Sequence, residues 1–225
     1  MDKKDNLLII KRTVFGIVTT TALFSISYAI LRYNVFGTVP WSGLPFFVMN
    51  KAISLTAIIL FTIGFVLKPK YKNRVGVAQK WLDISKIIEN ITFLFIVIHV
   101  LMSLMLFKSE IFAKFFEENG TLSLIGGLSM IAGIISFVLL CEIKLNSISK
   151  IKINYRLLIL PKVLNVTMLF IIIHLFFMGY SGWITIAKWH GGMPPISLIA
   201  FLFSSFGLLL KLFFAFQRTI LKSKK

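Results

Sequence analysis

Six apolar runs of similar length fix what this chain can become. They cover roughly 13–31, 50–67, 84–107, 122–141, 157–179 and 195–216, each close to the ~20 residues a helix needs to cross the hydrocarbon of a bilayer. In lipid, helix is the only state open to such a run, because only the chain itself can satisfy its backbone N–H and C=O groups. The expected fold is all-α and integral to the membrane: one transmembrane domain over residues 1–225, a bundle of six spanning helices. Hydrophobic residues make up 57% of the 225, more than a soluble domain of this length carries.

The formal charge of +17 points toward nucleic acid only until the basic residues are placed. They lie in the gaps between the apolar runs. The N-terminal tail holds Lys3, Lys4, Lys11 and Arg12; the second connection holds Lys68, Lys70, Lys72, Arg74, Lys80 and Lys86. The fourth holds Lys144, Lys150, Lys152, Arg156 and Lys162, and the C-terminal end holds Lys211, Arg218, Lys222, Lys224 and Lys225. These are 20 of the 25 basic residues. Arg32, Lys51, Lys108, Lys114 and Lys188 are left for the other three connections. With both termini cytoplasmic, every connection obeys the positive-inside rule, and an odd number of spans breaks the pattern. The expectation is a multi-pass protein of a cell membrane, the cytoplasmic membrane of a prokaryote, with the lipid bilayer and not nucleic acid as its partner. The first run follows Lys11-Arg12, lacks a small-residue cleavage site, and reads as a retained span. Cys141 is the only cysteine, which excludes an intrachain disulfide and a thiolate cluster.

One phrase occurs twice. Asn90-Ile-Thr92-Phe-Leu-Phe95-Ile-Val-Ile-His99 returns as Asn165-Val-Thr167-Met-Leu-Phe170-Ile-Ile-Ile-His174. The apolar matches follow from composition, but Asn, Thr and His are unusual in a span. An ionisable residue inside the membrane is a functional candidate with a partner to be named. The third and fifth spans run in the same direction. His99 and His174 lie roughly 12 Å and 8 Å below their outer ends at ~1.5 Å per residue, so both occupy the outer half. Two imidazoles at one depth can fill both axial positions of a haem iron. Thr92 and Thr167 lie seven residues before their histidines, on the same helix face. Phe95 and Phe170, one turn below, are expected to wall an apolar slot, with Met102 and Met178 as packing.

The connections carry further signals. Tyr33–Met49 is too broken by Pro40, Gly43 and Pro45 for a continuous helix and too apolar for a solvated loop, so it is expected to lie along the outer surface with Trp41 at headgroup depth. Trp183 and Trp189 belong at the same level. His190 sits in the last outer connection as an interfacial side chain. Gly191-Gly192 permit a sharp turn, and Pro194-Pro195 suit the first turn of a helix. In the fourth span, Gly126, Gly127 and Gly133 serve either close helix packing or the face of a flat cofactor. Glu89 with Lys86 three residues earlier reads as a surface pair. Asn119-Gly-Thr121 matches a glycosylation sequon on an outer connection.

Six spans, cytoplasmic termini and histidines on spans three and five resemble the ferric reductase-like transmembrane domain. That superfamily includes the membrane part of NADPH oxidases, the STEAP metalloreductases and the haem-binding subunit of bacterial methionine sulfoxide reductase systems. The resemblance covers roughly residues 13–216. It implies one b-type haem with His99 and His174 as axial ligands, and electron transfer to an acceptor on the outer side. Members that stack two haems carry a second histidine 13–14 residues deeper; here those places hold Ser85 or Lys86 and Leu160 or Pro161, so a single outer haem is expected. The flavin and nicotinamide domains of many relatives are missing from this sequence, which calls for a separate donor, a membrane quinol or a flavin reductase. Two other functions compete: a small carrier in which the histidines relay protons, and an accessory subunit without chemistry. The sequence shows no pair of interrupted spans of the kind that marks a carrier's substrate site, and no phosphate loop, HExxH or nucleophile elbow.

Overall fold

The computed structural model describes residues 3–71, 77–148 and 160–223. Lys72, Arg74, Lys150, Lys152 and Arg156 of the basic connections, and the first residues of the expected fifth run, lie outside them. Six long helices account for most of the rest: α1 (Lys3–Ile30), α2 (Met49–Tyr71), α3 (Val77–Leu106), α4 (Leu124–Ile148), α5 (Leu160–Trp183) and α6 (Ile196–Ser223). All six are long and apolar enough to cross a membrane. Among the described residues there is no strand, only an isolated bridge between Phe116 and Leu122. The fold is all-α with six membrane-length helices, the length and composition of a multi-pass membrane protein.

Most helices overrun their apolar runs at the end expected to be cytoplasmic. Helix α1 starts at Lys3 and not near Thr13; α3 starts at Val77, and α6 continues to Ser223. Lys, Gln and Arg are good helix formers, so these segments can continue a helix beyond its apolar run. Near the start of α3, Lys86 pairs with Asp83 at 3.0 Å. That replaces the expected partner Glu89, whose Cγ instead lies against Gly64 of α2; position 89 falls on the side of α3 that packs inward, and position 83 does not.

The chain forms two compact units. One comprises residues 1–100 and 205–225, the other 101–204. In the first, Ile10 and Val14 of α1, Leu60 of α2, and Ile84 and Ile88 of α3 form a buried cluster, with Ile63, Ile91 and Phe95 packed on it. The spacings 10–14, 84–88–91–95 and 60–63 put each set on one helix face. Helix α2 is the most buried of the six. The others turn large apolar side chains outward, such as Phe15, Leu94, Leu101, Ile134, Leu169 and Phe206, as a helix facing hydrocarbon does.

The expected break after α1 is present. A π-turn at Leu31–Val35 closes the helix, and Asn34 Nδ2 donates to the carbonyls of Val39 (3.1 Å) and Pro40 (3.4 Å) across the bend. Gly37 is required there: a Cβ would stand 2.5 Å from the Tyr33 carbonyl oxygen. Trp41–Gly43 and Leu44–Val48 then lead without interruption into α2. In the second unit, α4 and α5 are the main packed pair. The last connection turns through positive φ at Gly191 and Gly192, and the Pro195 carbonyl accepts the first amide hydrogens of α6, from Leu198 and Ile199.

Candidate functional site

His99 belongs to the first unit and His174 to the second. Each lies near the C-terminal end of its own helix, His99 seven residues before Leu106 and His174 nine before Trp183, or ~10 Å and ~14 Å of helical rise.

Within the first unit, His99 Nδ1 lies 2.7 Å from Asn50 Oδ1. Asn50 is only 2% exposed, in the first turn of α2, where the broken connection delivers it. A carbonyl oxygen accepts but does not donate, so the proton sits on Nδ1 and the lone pair on Nε2. The second unit does the same with different parts. His174 Nδ1 donates to the backbone carbonyl of Ser129 at 2.8 Å, and Ser129 Oγ donates to the His174 carbonyl at 3.3 Å. One turn further along α4, Gly133 lies under the His174 ring; a Cβ there would be 2.9 Å from Nδ1 and 3.2 Å from Cε1. Of the two readings open for the α4 glycines, Gly133 supports close packing against the imidazole itself. Gly126 packs against the Phe115 carbonyl, where a Cβ would come within 2.6 Å.

The threonines of the repeated phrase are both buried, Thr92 at 2% and Thr167 at 0% exposure, but they differ chemically. Thr167 Oγ1 bonds back to the Val163 carbonyl at 2.9 Å, the ordinary resting place of a helical threonine in an apolar setting. Thr92 Oγ1 is buried with no hydrogen-bond partner, a state that costs ~1–3 kcal/mol. Phe95 packs on the α1–α2–α3 cluster, and Phe170 is half-buried on α5. His190 is half-buried in a short turn of the last connection. The nearby indoles hold that connection together: Trp183 Nε1 donates to Ser197 Oγ at 3.0 Å, and Trp189 Nε1 donates to the Gly182 carbonyl at 3.0 Å.

A haem is a fair test of this arrangement. Among the described residues no three His, Cys, Asp or Glu side chains cluster as a protein-only metal site needs. Two imidazoles are enough when a porphyrin supplies the equatorial nitrogens. Ligating histidines characteristically give their other N–H to a carbonyl or carboxylate, which fixes the tautomer and raises basicity. Both histidines meet that condition, and Thr92 adds an orphaned buried hydroxyl two turns below His99. Sequence reasoning reached the histidines but missed Asn50 and Ser129 as their holders. A polar residue one position inside a span was the available signal for Asn50. A backbone carbonyl gives none. Comparison with protein-family models finds none that matches this chain, and comparison with curated proteins finds no match.

Proposed function

We propose that this chain is a haem-binding electron-transfer protein of a cell membrane, with both termini cytoplasmic, in which His99 and His174 are the axial ligands of one b-type haem. The observation that carries this reading is that both intramembrane histidines hold Nδ1 against an oxygen acceptor, at 2.7 and 2.8 Å, the arrangement that ligating histidines characteristically show. When bound, the haem supplies a one-electron couple. The chain's own residues orient the ligands: Asn50 and the Ser129 carbonyl fix each ring, Gly133 leaves room for one of them, Phe95 and Phe170 give the ligand helices apolar surroundings, and Thr92 and Thr167 lie buried two turns before the histidines.

In the outer half of the membrane, such a centre serves an acceptor on the outer side. Ser85, Lys86, Leu160 and Pro161 offer no second ligand pair below it, so the donor is a separate molecule, a membrane quinol or a flavin reductase. The test is replacement of each histidine in turn. His99→Ala and His174→Ala should abolish haem incorporation, and His190→Ala should leave it intact, read as the Soret band per chain. Loss with His190→Ala and retention with His174→Ala would contradict the assignment of the fifth span.

A further inference from the structure

Lys114, in the connection between α3 and α4, has a setting that orientation in the membrane does not explain. Its Nζ donates to the Met178 carbonyl of α5 at 2.5 Å and lies 4.8 Å from the centre of the Phe115 ring. Phe115 is fully buried. Lack of water around the ammonium pushes Lys114 below the ordinary lysine range, although much of the residue is exposed. The acidic residues of the same connection, Glu110, Glu117 and Glu118, are exposed, and among the described residues none forms an ion pair with it. An ammonium has three N–H donors, and the protein accepts one of them. Met178 is four residues after His174, so the carbonyl that holds this cation lies one turn, ~6 Å, further along α5 toward its C-terminal end.

We propose that Lys114 binds a carboxylate of the haem, a propionate, at the outer end of the second unit. The proposal rests on the haem reading above. A porphyrin held at His174 has an apolar edge and an ionised edge, and carboxylates are excluded from hydrocarbon. The ionised edge therefore faces the outer surface, and Lys114 is the cation pinned above His174 on that side. The aromatic face and the carbonyl hold the ammonium in place before the anion arrives, which lowers the cost of ordering a long side chain. A phospholipid phosphate at the outer surface offers the same anionic chemistry, and the experiment separates the two.

The full chain, loaded with haem in neutral detergent, is mixed with excess apomyoglobin, and the rate of haem loss is followed in the Soret region. Lys114→Met should lose haem roughly tenfold faster than wild type, the scale of one charge-assisted hydrogen bond, and Lys114→Arg should lose it at close to the wild-type rate. With haem dimethyl ester, which has no carboxylate, Lys114→Met and wild type should lose the group at equal rates. If Lys114→Met does not accumulate, wild type alone decides: the ester should leave roughly tenfold faster than haem, and equal loss overturns the proposal. Equal loss of haem from Lys114→Met and wild type overturns it. So does a Lys114→Met effect that persists with the ester, which marks a structural role. An effect seen only in anionic phospholipid vesicles assigns Lys114 to a lipid headgroup and also overturns it. Wild type that takes up no haem overturns the haem reading and this proposal together.

Discussion

An imidazole offers iron one nitrogen, and what its other nitrogen touches sets how well it does so. In the proposed haem site Asn50 and the Ser129 carbonyl take that part for His99 and His174, and their difference in kind makes separate predictions. Asn50→Leu leaves the Nδ1–H of His99 with a buried apolar neighbour in place of its acceptor, and haem affinity should fall about 10- to 100-fold. Asn50→Asp keeps an acceptor oxygen and should retain the haem, with a lower midpoint potential because a carboxylate makes the imidazole a stronger donor. Haem titration and potentiometry check both; equal affinity in Asn50→Leu and wild type would show that the contact does not support a ligand. On α4, Gly133→Ala puts a methyl 2.9 Å from His174 Nδ1 and should displace the ring from the Ser129 carbonyl, with a similar loss of affinity. Gly127→Ala is the matched control. Its nearest neighbour is 3.8 Å away, and it should titrate as wild type does.

At the scale of elements, close approach between helices depends on the same small residues. A Cβ at Gly207 of α6 would collide with Thr62 Cγ2 of α2, and one turn later Lys211 Nζ lies 3.6 Å from the centre of the Phe65 ring. Gly207→Leu should therefore destabilise the first unit by ~1–3 kcal/mol, seen as earlier unfolding in a detergent titration. Unchanged unfolding would mean that the two helices part at little cost. Six apolar runs sufficed to locate six helices, because run length against bilayer thickness leaves little choice. Their ends beyond the apolar runs were not legible, since Lys3–Arg12 and Val77–Asp83 mix charged and apolar residues and give no clear boundary. The break at Pro40 and Gly43 was readable from backbone chemistry. What that break achieves, the delivery of a buried Asn50 to His99, was not, because a contact between residues 49 positions apart leaves no local pattern. Gly133 was visible as a glycine, but only the packed α4–α5 pair identifies the ring it accommodates.

For the whole molecule, the partition of 20 basic residues against 5 predicts that reporters fused to either terminus are active only on the cytoplasmic side; an outer-side signal after Lys225 would refute the proposed topology. The proposed separate donor predicts that NADPH alone leaves the haem oxidised, whereas a quinol or an added flavin reductase reduces it. Rapid reduction by NADPH without added protein or flavin would reveal a nucleotide site in the chain. The second prediction depends on the haem itself, so the most direct measurement of the central claim is the haem content of the purified full chain, expressed with ample haem and read as the dithionite-reduced minus oxidised Soret spectrum per mole of protein. The account predicts one six-coordinate b-type haem per chain and none in a variant lacking both His99 and His174. A colourless wild-type protein, or an unchanged spectrum in that double variant, would contradict it.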